Sequence, residues 1–144
     1  MKIPAKVHYA LLIMTDIAMQ GEKATVTGND IARRQNISFA FVAQLLNKLK
    51  HEGVLESVRG GISGGYHFKE SPAQVTVKRV VDAIEPTFCI CPSLAIKTDK
   101  GVDNIVRSFW CQVWGDAIKR FETITIKDLS TGIKISAKKG ESCI

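Results

Sequence analysis

The sequence of 144 residues has no hydrophobic run of the roughly 18 residues that a membrane span needs. Its start, MKIPAKVHYALLIMTDIAMQ, interrupts the apolar positions with Lys6, His8 and Asp16, which excludes the continuous apolar core of a signal peptide. We therefore expect a cytoplasmic protein without a membrane partner. In that compartment the four cysteines favour free thiols, metal binding or redox chemistry over structural disulfides.

The sequence also lacks signals of enzymatic chemistry. It contains no GxxxxGK phosphate loop. The glycine-rich stretch RGGISGGY lies between two predicted strands rather than before a helix, so it is a poor phosphate cradle. His8, His51 and His67 do not stand at metal-ligand spacing. We therefore predict that the protein is not an enzyme.

The composition is that of a globular chain, because 45% of the residues are hydrophobic and 24% are charged. The length favours one domain, with or without an appended element. The formal net charge of +6 favours an acidic partner such as nucleic acid.

Local signals divide the first part of the chain into helices and a hairpin. Apolar residues at helical spacing follow Pro4 and stop at Gly21. Thr27 can cap a short second helix, and Ser38 can cap a third helix that runs to Gly53. VLESV and GYHFKE then predict two strands around the turn RGGISG. A further capped helix, TVKRVVDAIE, ends at a proline.

This order of helix, short turn, helix and hairpin is that of a winged helix-turn-helix, whose second helix enters the major groove of DNA beside the hairpin, or wing. Gln44 can pair with adenine, and lysines of the same helix can hold phosphates. Glycine lets the wing backbone approach DNA, and Arg59 can enter a narrow minor groove. The residues predicted to contact double-stranded DNA are Ser38, Gln44, Asn47, Lys48, Lys50, Arg59, Gly60 and Tyr66.

Roles that involve no DNA contact also remain possible for these residues. The hairpin can be an ordinary tight turn with a solvated Arg59, and Tyr66 can pack on the wing instead of binding a phosphate. One of Phe39 and Phe41 is expected to pack inward, which leaves the other for a thymine methyl group. A winged helix can also serve as a protein-interaction adaptor, whose binding would depend less on salt than phosphate-driven DNA binding does.

From about residue 101 to 123 the apolar residues at helical spacing form a stripe too broad for one interface. The domain can cover one side of such a helix, and a second subunit is the natural cover for the other side. We therefore predict a homodimer. The residues assigned to its interface are Val102, Val106, Phe109, Trp110, Val113 and Phe121.

Together these signals predict a mainly α fold with a small β-hairpin wing, that is, a winged helix-turn-helix followed by a long C-terminal dimerisation helix. The predicted regions are a DNA-binding domain over 1–86, a cysteine-containing sensor loop over 87–100, the dimerisation helix with a short terminal turn over 101–130, and a flexible basic tail over 131–144.

At the level of motifs the chain resembles a known family. The stretches MKIPAKVHYALLIMTDIA, DIARRQNIS, VAQLLNKLKHEGVLESVRG, GGY, TVKRVVDAIE and F..ITIKDL are together similar to bacterial Rrf2-type transcriptional regulators. That family includes regulators of iron–sulfur cluster assembly, nitric-oxide-responsive repressors and repressors of cysteine metabolism. The resemblance implies a homodimeric winged-helix protein, and we predict a repressor of a palindromic site.

The resemblance does not extend to the family's cluster site. Cluster-binding members carry three cysteines in the loop before the long helix, spaced about five residues apart. Here Cys89 and Cys91 are separated by one residue, and Asn104 and Arg107 occupy the positions that match the last cysteine and a downstream histidine. The usual site is missing.

Three routes for a signal therefore stay open. A 2Fe–2S cluster with non-standard ligands can use Cys89, Cys91, Cys111 and His8. The loop thiols can instead oxidise reversibly. A metabolite or a partner enzyme can also act on the dimer without any metal cofactor. In the plainest interpretation Cys111 is only a buried small apolar side chain and His8 is solvated.

Overall fold

A computed structural model describes residues 2–60, 64–88 and 101–132. Residues 89–100 of the predicted sensor loop, which include Cys89 and Cys91, lie outside the described residues, as does the predicted tail from residue 133 onward. None of the helices within the described ranges is long and apolar enough to cross a membrane. The elements in chain order are α1 (Ala5–Met19), α2 (Gly28–Gln35), α3 (Phe39–His51), β1 (Leu55–Val58), β2 (Gly65–Phe68), α4 (Val77–Ile84), α5 (Val102–Thr123) and α6 (Ile126–Ser130).

The predicted caps set the ends of α2 and α3. The Thr27 hydroxyl oxygen accepts a hydrogen bond from the backbone N–H of Asp30 at 3.1 Å. Between the helices Asn36 adopts the left-handed conformation with a φ of 53°, which asparagine tolerates better than most residues. Ser38 then accepts from the N–H of Phe41 at 3.3 Å. The helix, short turn and helix are confirmed.

One hydrophobic core joins the helices. It contains Ile17 of α1, Leu49 of α3 and Val80 of α4, all fully buried. Ile126 of α6 belongs to the same core, because α6 returns to pack on α1. The turn predicted near the end of the chain is thus a short helix that closes the winged-helix domain.

The wing is attached to the segment that precedes α2. β1 and β2 pair antiparallel, and the backbones of Val26 and Tyr66 exchange two hydrogen bonds of 2.8 Å. Gly65 has a φ of 153°, and a Cβ there would lie 2.7 Å from the carbonyl oxygen of Val26. Only glycine fits this close approach, which holds the base of the wing beside the helix pair.

Candidate nucleic-acid interface

One side of α3 faces away from the core. Ala40, Gln44, Asn47 and His51 are all exposed and follow one another at helical spacing, so they form a single outward stripe. We call these four residues the recognition stripe. It includes Gln44 and Asn47, the two residues predicted to read bases. His51 was not predicted to lie on this side of the helix, although its spacing from Gln44 and Asn47 in the sequence indicates it.

Ser38 stands at the start of the same helix with an exposed side chain. Its oxygen accepts the capping hydrogen bond from Phe41, while its hydroxyl proton remains able to donate to an outside acceptor. A helix start also presents backbone N–H groups and a positive dipole, which suit a phosphate. Capping and DNA contact are therefore compatible at Ser38.

Three cations line one cleft along the outer side of the wing. Lys50 at the end of α3, Arg59 at the end of β1 and Lys69 after β2 face a cleft of about 470 Å³, which Glu56 also lines. Gly60 follows Arg59, and the space where its Cβ would stand is open. Because the cations outnumber the acid, the cleft favours an anion such as a backbone phosphate. Lys69 was not predicted from the sequence, since only the fold brings it to this cleft: it lies opposite Val54 at the base of the wing, whereas Arg59 follows Val58 at the tip.

The aromatic residues near the wing divide between surface and interior. Phe41 packs edge-on against Tyr9 of α1, with ring centroids 5.5 Å apart. Phe39 is 52% exposed and covers Gly28 at the start of α2. Tyr66 is half-buried and packs against the core. Phe41 is thus the inward residue of the predicted pair, and Phe39 is the one available to an outside partner.

Lys48 departs from the arrangement expected for a phosphate contact. It lies on the flank of α3 beside the recognition stripe, and its Nζ donates to the carbonyl oxygen of Ile84 at 3.1 Å. Ile84 is the last residue of α4. Lys48 therefore connects two helices of the domain.

A buried carboxylate holds α2 against α1. Asp16 is 5% exposed, and it accepts two hydrogen bonds from Arg34, at 3.1 Å to Oδ1 and 2.5 Å to Oδ2. Gln35 donates a third at 2.7 Å to Oδ1. The hydrogen bonding of Arg34 to Asp16 raises the pKa of the Arg34 guanidinium above its ordinary value. This pairing fixes the first helix of the helix-turn-helix, and no local pattern in the sequence indicates it.

The long helix α5 has two apolar faces, as its sequence pattern predicts. One face points into the domain, where buried Trp114 meets the ring of Phe88 edge-on at 5.7 Å and Phe121 stacks on Phe88 at 6.4 Å. Phe121 therefore lies on the inner face and not with the other predicted dimer residues. The opposite face, called here the apolar stripe, is exposed; its residues are Val102, Ile105, Val106, Phe109, Trp110 and Val113.

The described residues do not assemble the family's metal site. His8 on α1 and Cys111 on α5 are both exposed, so the interpretation of Cys111 as a buried apolar side chain is wrong. Asn104 and Arg107 supply an amide and a guanidinium, which are not iron–sulfur ligands. Within the ranges that the structure describes, no three His, Cys, Asp or Glu side chains are grouped to hold a metal ion. The donor set does not fit the usual cluster.

Two helices joined by a short turn, with a hairpin wing and a basic cleft beside the second, define a winged helix-turn-helix DNA-binding regulator. The profile of the Rrf2 family, described as iron-dependent transcriptional regulators, matches residues 3–132. The chain belongs to the Rrf2 family of transcriptional regulators. The resemblance, the fold and the DNA-binding function predicted from the sequence are confirmed, and the protein is a regulator rather than an enzyme.

Individual relatives show the extent of the likeness. The HTH-type transcriptional regulator IscR of Aliivibrio salmonicida is 36% identical over 85 residues, which are 59% of this chain and 50% of that protein. The structure of CymR, the global cysteine regulator of B. subtilis, superposes with a TM-score of 0.80 at 25% identity, covering 91% of this chain and 97% of that one. The structure of T. potens IscR gives a TM-score of 0.74 at 27% identity, covering 91% and 87%.

Proposed function

We propose that the protein is a homodimer that represses transcription by binding a DNA site with two-fold symmetry. The observation that carries this proposal is the apolar stripe of α5, whose exposed fractions range from 40% for Val113 to 77% for Val102. A contiguous apolar surface of this kind marks an interaction site. A second copy of α5 would cover both stripes at once, since a two-fold interface presents the same patch from each subunit.

Each subunit of such a dimer would carry one recognition stripe and one wing. Gln44 and Asn47 are proposed to read base edges in the major groove, and Ser38 to contact the adjacent phosphate. Lys50, Arg59 and the backbone of Gly60 are proposed to follow the phosphate backbone along the wing. Two such sets related by a two-fold axis require a palindromic operator.

Tyr66 has a smaller part in this proposal. Its backbone is tied to Val26 and its ring packs against the core, so it supports the wing. Only its hydroxyl would be offered to a phosphate.

The dimer is tested by charging the apolar stripe. We expect Phe109→Glu to shift the protein to the monomer in analytical ultracentrifugation, because Phe109 is 54% exposed and would place a carboxylate between the two helices. Gln112→Glu is the matched control, since it adds the same charge to the same helix at an exposed polar position that borders the apolar stripe. A Phe109→Glu protein that sediments as wild type would refute the proposed interface.

DNA contact at the wing is tested separately. Arg59→Ala is expected to weaken binding to duplex DNA and to lower the salt slope of the binding constant by about 0.9 for each phosphate that the protein no longer neutralises. The dimer should remain intact, because Arg59 lies on the wing and not on α5. Unchanged affinity and slope would remove Arg59 from the mechanism.

The signal is proposed to enter through the segment that carries Cys89 and Cys91, although that segment lies outside the described residues. Because the donor set does not fit the usual cluster, we favour reversible thiol oxidation or a bound effector, either a metabolite or a partner enzyme. Anaerobic purification followed by iron and sulfide analysis tests this choice. Stoichiometric amounts of iron and sulfide in each subunit would establish a non-standard site and make Cys111 and His8 the next residues to substitute.

A further inference from the structure

Lys48 is an exposed residue one turn after Gln44, at the edge of the recognition stripe, but its side chain reaches toward α4. Its ammonium group donates to the carbonyl of Ile84 at 3.1 Å. That carbonyl lies in the last turn of α4, where backbone oxygens have no partner within the helix. A lysine there satisfies the carbonyl and also meets the negative end of the helix dipole.

The end of α4 receives a second lysine from another helix. Glu85, which follows Ile84, forms an ion pair with Lys6 of α1 and accepts a hydrogen bond from Thr87 at 2.8 Å. The hydrogen bond from Lys6, and after it that from Thr87, lower the pKa of Glu85 below its ordinary value, and the positive charge of Lys48 acts in the same direction. The end of α4 is therefore a junction that α1 and α3 both hold.

A second contact of α3 lies near its start. Phe41 packs against Tyr9 of α1 in the first turn of the helix. Lys48 follows seven residues later on the same flank, which is two turns and about 10 Å along the axis. The buried face of α3, which includes Leu46 and Leu49, fixes which residues face outward, and these two contacts brace the flank of the helix beside that outward side. The outward residues are those of the recognition stripe.

We infer that Lys48 is a positioning residue. It binds the C-terminal end of α4, keeps the C-terminal half of α3 at a fixed distance and angle to α4, and so directs Gln44 and Asn47 toward DNA; it does not hold a DNA phosphate. This assignment rests on the proposed base contacts of Gln44 and Asn47. It replaces the phosphate contact predicted for Lys48 as a lysine of α3.

The test compares Lys48→Met with Lys50→Met. Both variants remove an ammonium group from α3 and keep an apolar stem, and they lie two residues apart. Each is measured over a salt series on two duplexes, one selected by the wild-type protein from a randomised pool and one of unrelated sequence. The ratio of the two affinities reports base readout, and the salt slope reports phosphate contacts.

We expect Lys48→Met to lose about five- to tenfold in affinity for the selected duplex, as befits a partly exposed charge-assisted hydrogen bond. Its affinity for the unrelated duplex and its salt slope should stay at the wild-type values. Lys50→Met should instead weaken both duplexes alike and lower the slope by about 0.9.

A slope for Lys48→Met that falls as far as that of Lys50→Met would overturn the assignment, and so would an unchanged preference for the selected duplex. If Lys48→Met does not fold, Lys48→Gln is measured instead, because its amide keeps a donor without the charge; the same two outcomes then decide. Gln44→Ala is included in the series. A preference that survives Gln44→Ala would refute the proposed base contact of Gln44, separately from the assignment of Lys48.

Discussion

The buried carboxylate of Asp16 between α1 and α2 predicts that removing its partner costs more stability than neutralising the carboxylate itself. We compare Arg34→Met with Asp16→Asn. Asp16 is 5% exposed and depends on its partners, whereas the Arg34 side chain is 32% exposed and can turn toward water. The cost of breaking this pair should therefore depend on which member is removed.

The structure sets the expected magnitudes. Arg34→Met leaves the Asp16 carboxylate buried, with the hydrogen bond from Gln35 but without its cationic partner. An uncompensated buried charge of this kind costs about 3–5 kcal/mol. Asp16→Asn leaves no buried charge, and its cost is that of weakened hydrogen bonds, about 1–3 kcal/mol. The pair Asp16→Leu with Arg34→Met removes both charges, so its cost should fall well below the sum of the single changes.

The assay is urea unfolding followed by circular dichroism at one fixed protein concentration, because dimerisation would make stability depend on concentration. Arg33→Met is the matched control. Arg33 pairs with Asp30 at 2.8 Å on the surface, where its side chain is 79% exposed, and such a pair contributes about 0–1 kcal/mol. Equal losses for Arg33→Met and Arg34→Met, or strict additivity in the double variant, would refute the reasoning.

Three further predictions test the wing, the long helix and the junction after α4. Gly65→Ala should destabilise the protein by about 1–3 kcal/mol in the same urea assay, since its Cβ would meet the Val26 carbonyl oxygen at 2.7 Å; wild-type stability would contradict the observed wing attachment. Trp114→Ala, at 7% exposure, should cost about 3–5 kcal/mol of folding, whereas Trp110→Ala, at 50% exposure, should chiefly weaken the dimer measured by sedimentation; the reverse order would exchange the two faces of α5. The folded protein lowers the pKa of Glu85, so the contribution of Glu85 to folding stability is present above its unfolded pKa and is lost as the pH falls through its folded pKa. Glu85→Gln should therefore reduce the loss of stability at acid pH. A variant whose stability depends on pH as the wild type's does would contradict this prediction.

Much of the architecture could be predicted from the sequence because its signals are local. Thr27 and Ser38 each accept a hydrogen bond from the backbone N–H three residues later, so the helix pair could be placed from the spacing alone. The glycine-bearing turn between two apolar runs predicted the wing in the same way. The two-sided pattern of α5 predicted that the helix has two apolar faces, but it did not assign Trp114 and Phe121 to the inner one.

The pairing of side chains between elements depended instead on how those elements pack. The ammonium of Lys48 binds a carbonyl 36 residues away, and the carboxylate of Asp16 binds a guanidinium 18 residues away. Phe121 lies inward because Phe88 lies on that side of α5. Spacing along a helix or strand specifies which residues share a face, but a side chain's partner depends on which faces meet. Local patterns were therefore sufficient for the elements and the class of regulator, whereas packing separates the charged residues that hold the fold from those that remain available to DNA.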